Sequence, residues 1–175
     1  MIRVLWGCLM LIFYNVPQFI SISQIYHMGK EIFLVDDDPD FQFIFFKLLK
    51  SLRKQYSVKF FENPKALYHH LKVLHTREAS DFPSLIILDL NMPGMNGVQL
   101  LKTIRHSRSL PGEKVQQIPI VVMSGDISNE GVQQCYEAGA DAVLHKQPDL
   151  QLMKATLQSA CDFWLERDFS VSTII

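Results

Sequence analysis

Cysteine is scarce and irregularly placed in this 175-residue chain: Cys8, Cys135 and Cys161 are an odd number at unrelated spacings. That excludes a disulfide framework and a zinc motif, and it fits a reducing cytosol. Net charge is nearly absent too. Lysine and arginine number 17 against 18 aspartates and glutamates, for a formal charge of −1. Neither nucleic acid nor an anionic membrane is therefore drawn to the chain by charge, and no nucleic-acid partner is expected. Internal repeats, low-complexity tracts and charge blocks are missing. So is an unbroken run of roughly 20 apolar residues, the length that a membrane span needs. The nearest approach is Val4 to Tyr14, preceded by Arg3; extending it means crossing Asn15, Pro17, Gln18, Ser21 and Ser23. It looks like the apolar part of a signal peptide, but no small-x-small cleavage site follows. Three readings of residues 1–28 stand side by side: an over-extended start with Met28 as the true one, a membrane anchor, and a cleaved signal. The last would contradict the cytosolic chemistry that the rest of the chain implies.

What is present is a core-forming composition: 48% apolar and 20% charged residues. One domain over residues 29–167 is expected, with a short tail at 168–175. Cys135 and Cys161 fall in helical patterns and read as small buried hydrophobes. The central stretch is Leu85-Ile86-Ile87-Leu88, followed at once by Asp89. Four apolar residues in a row read as a strand buried on both faces, as in a parallel sheet. Pro93, Gly94, Asn96 and Gly97 then form a turn, and an apolar helical pattern (Val98, Leu101, Ile104) resumes.

The same alternation runs through the chain. Ile32 to Val35 is a strand that ends in Asp36-Asp37-Asp38-Pro39, with Asp38 as N-cap and Pro39 as the first helical residue. Phe41, Phe45, Leu48 and Leu52 share one face of the helix behind it, while Phe43 and Phe46 lie off that face beside Lys47 and Lys50. Val58 to Phe61 is a second strand, and Asn63-Pro64 starts a helix to about His75. Thr76 to Pro83 is polar, and Ser107 to Gln117 reads as a long loop. Ile118 to Met123 is the fourth strand, stopping at Ser124-Gly125-Asp126. A helix from Asn129 to Ala138 is closed by Gly139. Asp141 to His145 is the fifth strand and ends at Lys146; the last helix carries Leu150, Met153, Leu157, Cys161 and Trp164 on one face. Five strand–helix repeats predict an α/β fold, a doubly wound five-stranded parallel sheet.

In a sheet ordered 2-1-3-4-5, the ends of strands 1, 3, 4 and 5 meet at one carboxyl edge. Asp36, Asp37, Asp89, Ser124 and Lys146 would gather there. Three carboxylates sit together ionised only with a cation, and an all-oxygen set suits magnesium. A hydroxyl and an ammonium beside it suit an incoming phosphoryl group, with Asp89 as nucleophile. Each residue alone has an ordinary explanation: an Asp or Ser after a strand is a turn or cap, and a Lys there is solvated. Four strand ends of matching chemistry are hard to attribute to chance.

The chain resembles the receiver domain of two-component response regulators, the CheY-like family, from about Lys30 to about Arg167. The motifs are Val35-Asp36-Asp37-Asp38-Pro39, Leu88 through Gly97, Val122-Met123-Ser124-Gly125, and Gly139-Ala140-Asp141 ahead of Lys146. The resemblance implies that Asp89 is the phosphoacceptor, that Asp37 is a direct magnesium ligand with Asp36 acting largely through water, and that Asn91 offers its backbone carbonyl. Ser124 and Lys146 fill the hydroxyl and lysine positions. It implies a stand-alone signalling switch or phosphorelay intermediate in the cytoplasm rather than an enzyme. Its partners would be a histidine kinase or a phosphotransfer domain and a downstream protein, with homodimerisation on phosphorylation left open. The loops around 76–83 and 107–117 look like those of small regulators that accompany phytochrome-type and hybrid kinases. With only a short tail after the last helix, no output domain is expected. Three departures stand out: Gln147 separates Lys146 from Pro148, Val143 occupies the usual aromatic switch position, and Gly125 replaces a common Ala.

Phe43 and Phe46 are expected either to be partly buried against the last helix or to form part of a kinase docking face. The histidines (His27, His69, His70, His75, His106, His145) read as solvated or boundary residues, since adjacent His69 and His70 cannot share a helical face. Other functions fit less well. A haloacid-dehalogenase-type phosphatase would match Asp-x-Asp, Ser124 and Lys146, but here Pro39-Asp40 stands where Thr or Val would be expected, and neither a second acidic pair after Lys146 nor a cap domain is read in this sequence. A flavodoxin-like FMN binder needs a phosphate cradle where this chain is acidic. A degenerate scaffold receiver sits poorly with an intact acidic set.

Overall fold

The computed structural model describes residues 30–52, 54–77, 82–94, 96–106 and 113–166. The N-terminal stretch, the last nine residues, and Cys8 and His27 with them, lie outside this range. In chain order the elements are β1 (Glu31–Val35), α1 (Pro39–Ser51), β2 (Ser57–Phe61), α2 (Pro64–Thr76), β3 (Leu85–Leu88), α3 (Gly97–His106), α4 (Glu113–Gln117), β4 (Ile120–Ser124), α5 (Asn129–Glu137), β5 (Ala142–His145) and α6 (Leu150–Leu165).

The strands form one parallel sheet, as the alternation predicts, in the expected order β2-β1-β3-β4-β5. Side chains alternate between its faces, so the apolar runs feed two cores. Phe33, Val35, Ile86, Leu88, Ile120 and Val122 pack on one face with Leu67, Leu71, Leu100 and Ile104 from α2 and α3. On the other, Ile32, Leu34, Leu85, Ile87, Val121 and Met123 meet Phe45 and Leu49 of α1 and Met153, Leu157 and Cys161 of α6. The two described cysteines, Cys135 and Cys161, are buried and free, and burial pushes the Cys161 thiol up to about 12. No described helix is long and apolar enough to cross a membrane.

Caps set the helix starts where the sequence puts them. Asp38 accepts the N–H groups of Asp40 and Phe41, and Pro39 opens α1; Asn63 and Ser128 cap α2 and α5 in the same way. Gly139, at φ +100°, ends the turn after α5, and Ala140 N–H reaches back to the Cys135 carbonyl.

Three expectations need correction. The segment to Gln117 is not all loop, because Glu113–Gln117 is helical and buries Val115 in the first core; residues 107–112 lie outside the description. On α1 the buried centre is Phe45 with Leu49, a residue absent from the expected face, while Phe41, Leu48 and Leu52 flank it half-buried. On α6, Leu150 is 55% exposed and Leu165 is buried. Leu150 directly follows the capping Asp149 at the carboxyl edge, where the sheet no longer covers the helix.

Candidate functional site

Parallel strands place their carboxyl ends on one edge, so the site follows from register. Val35 pairs with Leu88, Leu88 with Val122, and Ser124 with His145. The residues just beyond are therefore neighbours: Asp36, Asp89, Ser124 and Lys146. Backbone bonds tie these ends together. Asp89 N–H donates to the Val35 carbonyl at 2.9 Å, and Lys146 N–H donates to the Ser124 carbonyl at 2.8 Å.

Asp36 and Asp89 are buried polar residues in an otherwise apolar setting, and Ser124 is the third. The Lys146 ammonium lies 2.7 Å from Asp36 Oδ2 and 3.3 Å from Asp89 Oδ2. Asp36 Oδ1 accepts the Asp38 N–H at 3.0 Å; Oδ2, despite its ion pair, has no hydrogen bond of good geometry among the described residues. Burial raises the Asp36 carboxyl above its ordinary range; Lys146 works against that, and the charge of Asp89 adds to it. Leu90 N–H holds Asp89 Oδ1 at 2.8 Å and leaves the other oxygen on the Lys146 side. Ser124 Oγ accepts from Asn91 Nδ2 at 3.3 Å and donates to the Asp126 carbonyl at 3.2 Å.

Asp36, Asp37 and Asp89 each present one carboxylate oxygen within 4.8 Å of the others. Three carboxylates, Asp36 and Asp89 buried and Asp37 exposed, against one ammonium leave two formal negative charges at this edge. A hard divalent cation fits this donor set, and the under-coordinated Asp36 oxygen gives it a place to bind. None of the histidines joins a metal-binding group among the described residues. His70 instead stacks against Phe33 and Phe61, 5.4 Å from each ring, with Lys59 Nζ 3.0 Å from its Nε2.

Gly97 shows how tightly the turn behind Asp89 is wound. A Cβ there would collide with the Asp89 carbonyl and touch the Leu90 backbone at 3.0 Å. Gly97→Ala is expected to cost about 2 kcal/mol, read in urea unfolding, since backbone must shift to admit the methyl. An unchanged midpoint would mean that the turn is looser than it looks.

The departures noted in the sequence have definite outcomes. Lys146 reaches both aspartates although Gln147 intervenes before Pro148. Val143 is half-buried against the first core. The space where a Cβ on Gly125 would stand is open. Two contacts escaped sequence reasoning. Gln42 Nε2 donates to the Asp36 carbonyl at 2.6 Å, and the Phe41 ring centroid lies 4.3 Å from Lys146 Nζ. Both come from the first turns of α1; only their proximity to the Asp36-Asp37 pair hinted at them. Phe43 is 62% exposed and Phe46 36%, with Lys47 and Lys50 lying over their rings.

The sequence profile of the response regulator receiver domain matches residues 32–158. This chain belongs to that family, the receiver domains of two-component signalling. It is 24% identical over 134 residues to the probable methanogenesis regulatory protein FilR2 of Methanothrix harundinacea, covering 77% of this chain and 83% of that protein. Its identity to response regulator Rcp1 of Synechocystis sp. is 28% over 137 residues, covering 78% and 90%. The fold is similar to the crystal structure of the Mn(2+)-bound form of response regulator Rcp1, with a TM-score of 0.63, 23% identity, and coverage of 80% of this chain and 97% of that one.

Proposed function

We propose that this receiver domain accepts a phosphoryl group on Asp89 with magnesium and acts as a switch or relay intermediate through protein contacts. The observation that carries the reading is the convergence of Asp36, Asp37, Asp89 and Lys146 on one edge of the sheet, with Asp36 and Asp89 buried. Asp36, Asp37, Asp89 and the Asn91 backbone carbonyl would hold the ion, which supplies charge neutralisation at the phosphoryl oxygens. An Asp89 carboxylate oxygen attacks phosphorus, a new O–P bond forms, and the bond to the donor nitrogen or oxygen breaks. The leaving group departs with the electron pair and takes a proton from solvent. Lys146 balances the charge on the transferred group, and Ser124 donates a hydrogen bond to it. The donor would be a histidine kinase or phosphotransfer domain. Residues 29–167 are the unit that carries out this chemistry, the cytoplasm is its setting, and a homodimer of phosphorylated chains is a further outcome to be tested.

Incubation with acetyl phosphate and magnesium tests the chemistry: one phosphate should be gained, and it should be lost at alkaline pH, as acyl phosphates are. No gain, or a gain that survives alkali, would refute it. Phe43 and Phe46 test the docking. Solvent exposure of two aromatic rings on α1 supports their use as a contact surface. Replacing both with Ser should slow transfer from the partner kinase about tenfold or more while uptake from acetyl phosphate stays within twofold. Equal loss with both donors would refute a docking role.

A further inference from the structure

We propose that Phe41 is a positioning residue for Lys146, its ring face holding the ammonium in line with Asp89; this rests on the reading of Asp89 as phosphoacceptor. The ring centroid lies 4.3 Å from Lys146 Nζ, well inside the roughly 6 Å reach of a cation–π contact. The other lysine–ring pairs among the described residues are longer, at 5.2, 5.5 and 5.9 Å. Lys146 is also largely withdrawn from water, its side chain 17% exposed, where such contacts are strongest.

The position of the ring is fixed by its surroundings. Phe41 N–H donates to the capping Asp38 Oδ1 at 3.3 Å, and its ring packs tilted against Phe45 with centroids 6.3 Å apart. One helical turn thus serves both sides of an ion pair: Gln42 holds the Asp36 carbonyl, and Phe41 faces the ammonium that Asp36 attracts.

Charge gives the arrangement its purpose. Asp36 and Asp89, the two anionic partners of Lys146, are the same oxygens that a divalent cation would claim. Were they to turn to the cation, the ammonium would lose partners and be repelled by it. An aromatic face is an attractive surface that the cation does not consume, and it adds no fourth carboxylate to a site already rich in them. The requirement is sharper in this chain because Pro148 follows Lys146 only after Gln147. The Lys146 N–H bond to Ser124 fixes where the side chain begins, and Phe41 fixes where it ends.

Wild type, Phe41→Leu and Phe41→Tyr separate this role from simple packing, since Leu keeps apolar contact and Tyr keeps the face. In NMR spectra, the Lys146 ε-methylene protons should be moved upfield by the ring in wild type and Phe41→Tyr, and lie near their ordinary position in Phe41→Leu. Phosphate uptake from acetyl phosphate with magnesium, followed by intact mass, should be about fivefold slower in Phe41→Leu and within twofold of wild type in Phe41→Tyr. Equal slowing in both variants, or Lys146 signals at ordinary positions in wild type, would overturn the proposal. Should wild type take up no phosphate, the acceptor reading fails and the positioning role falls with it, while the NMR shift still reports whether the contact forms.

Discussion

Replacing Arg105 with Ala is expected to destabilise the domain by about 3 kcal/mol, although the residue is far from the acidic edge. Its guanidinium makes four hydrogen bonds: to the Gly139 carbonyl at 2.9 Å, the Gln116 carbonyl at 2.6 Å, the Ile118 carbonyl at 3.0 Å, and Asp141 Oδ2 at 2.6 Å. These acceptors lie on three separate segments: the end of α4 with the entry to β4, the turn after α5, and the entry to β5. The Arg105 side chain is only 12% exposed. Burial lowers the affinity of its guanidinium for the proton, and Asp141 opposes that effect. A charged fork in such a place holds because every arm is matched. Truncation leaves three carbonyls without their donor and the Asp141 carboxylate with the Ile120 N–H, at 2.7 Å, as its remaining partner among the described residues. Gly139 makes room for this rivet, since a Cβ there would stand 2.6 Å from Arg105 Cγ. In thermal unfolding the loss should appear as a fall of about 10 °C. Arg105→Lys should recover less than half, because an ammonium cannot reproduce the planar fork. A loss under 1 kcal/mol, or full recovery by Lys, would show that the bonds are replaceable by water.

The opposite sign is expected at the site. Asp36→Asn should stabilise the metal-free protein at pH 7 by about 1–2 kcal/mol. The reason is burial: the ionised Asp36 carboxylate is costly to keep there, and this raises its affinity for a proton in the folded state. Removing one partner of a buried pair is ordinarily harmful, because the other is left uncompensated. Here Lys146 keeps Asp89 at 3.3 Å and the Phe41 ring. The pH dependence has a definite sign. Between the ordinary carboxylate value and the raised folded one, the folded state binds more protons than the unfolded chain. Stability attributable to Asp36 therefore falls as pH rises through that window. The advantage of the Asn variant should accordingly shrink as pH falls and Asp36 is protonated. Magnesium should reverse the ranking, since an ion that binds only the folded wild type adds about 2.7 kcal/mol at a hundredfold excess over its dissociation constant. Urea titrations at several pH values, with and without magnesium, check all three parts. A less stable Asn variant, or an advantage independent of pH, would contradict the burial argument.

These two residues also show what sequence could and could not disclose. Asp36, Asp89, Ser124 and Lys146 were legible because each ends an apolar run, and the parallel order 2-1-3-4-5 gathers strand ends. The caps at Asp38, Asn63 and Ser128 follow from residue type alone. Arg105 gave no such signal. A lone arginine near a helix end reads as a solvated charge, and its acceptors are backbone carbonyls, which every residue carries. Phe41 was read as a core residue by its helical spacing, and it is half core. Its other half faces Lys146, 105 positions later, a contact that depends on how β5 and α1 lie across the sheet edge. Val115 was hidden in a segment whose Pro111-Gly112 suggests loop, although Glu113–Gln117 is helical and buries it.

The intact mass of wild type and Asp89→Asn after treatment with acetyl phosphate and magnesium tests the central claim most directly. One labile phosphate on wild type and none on the variant is the predicted result. Phosphate on both proteins would place the acceptor on another carboxylate, and phosphate on neither would contradict the phosphoacceptor reading itself.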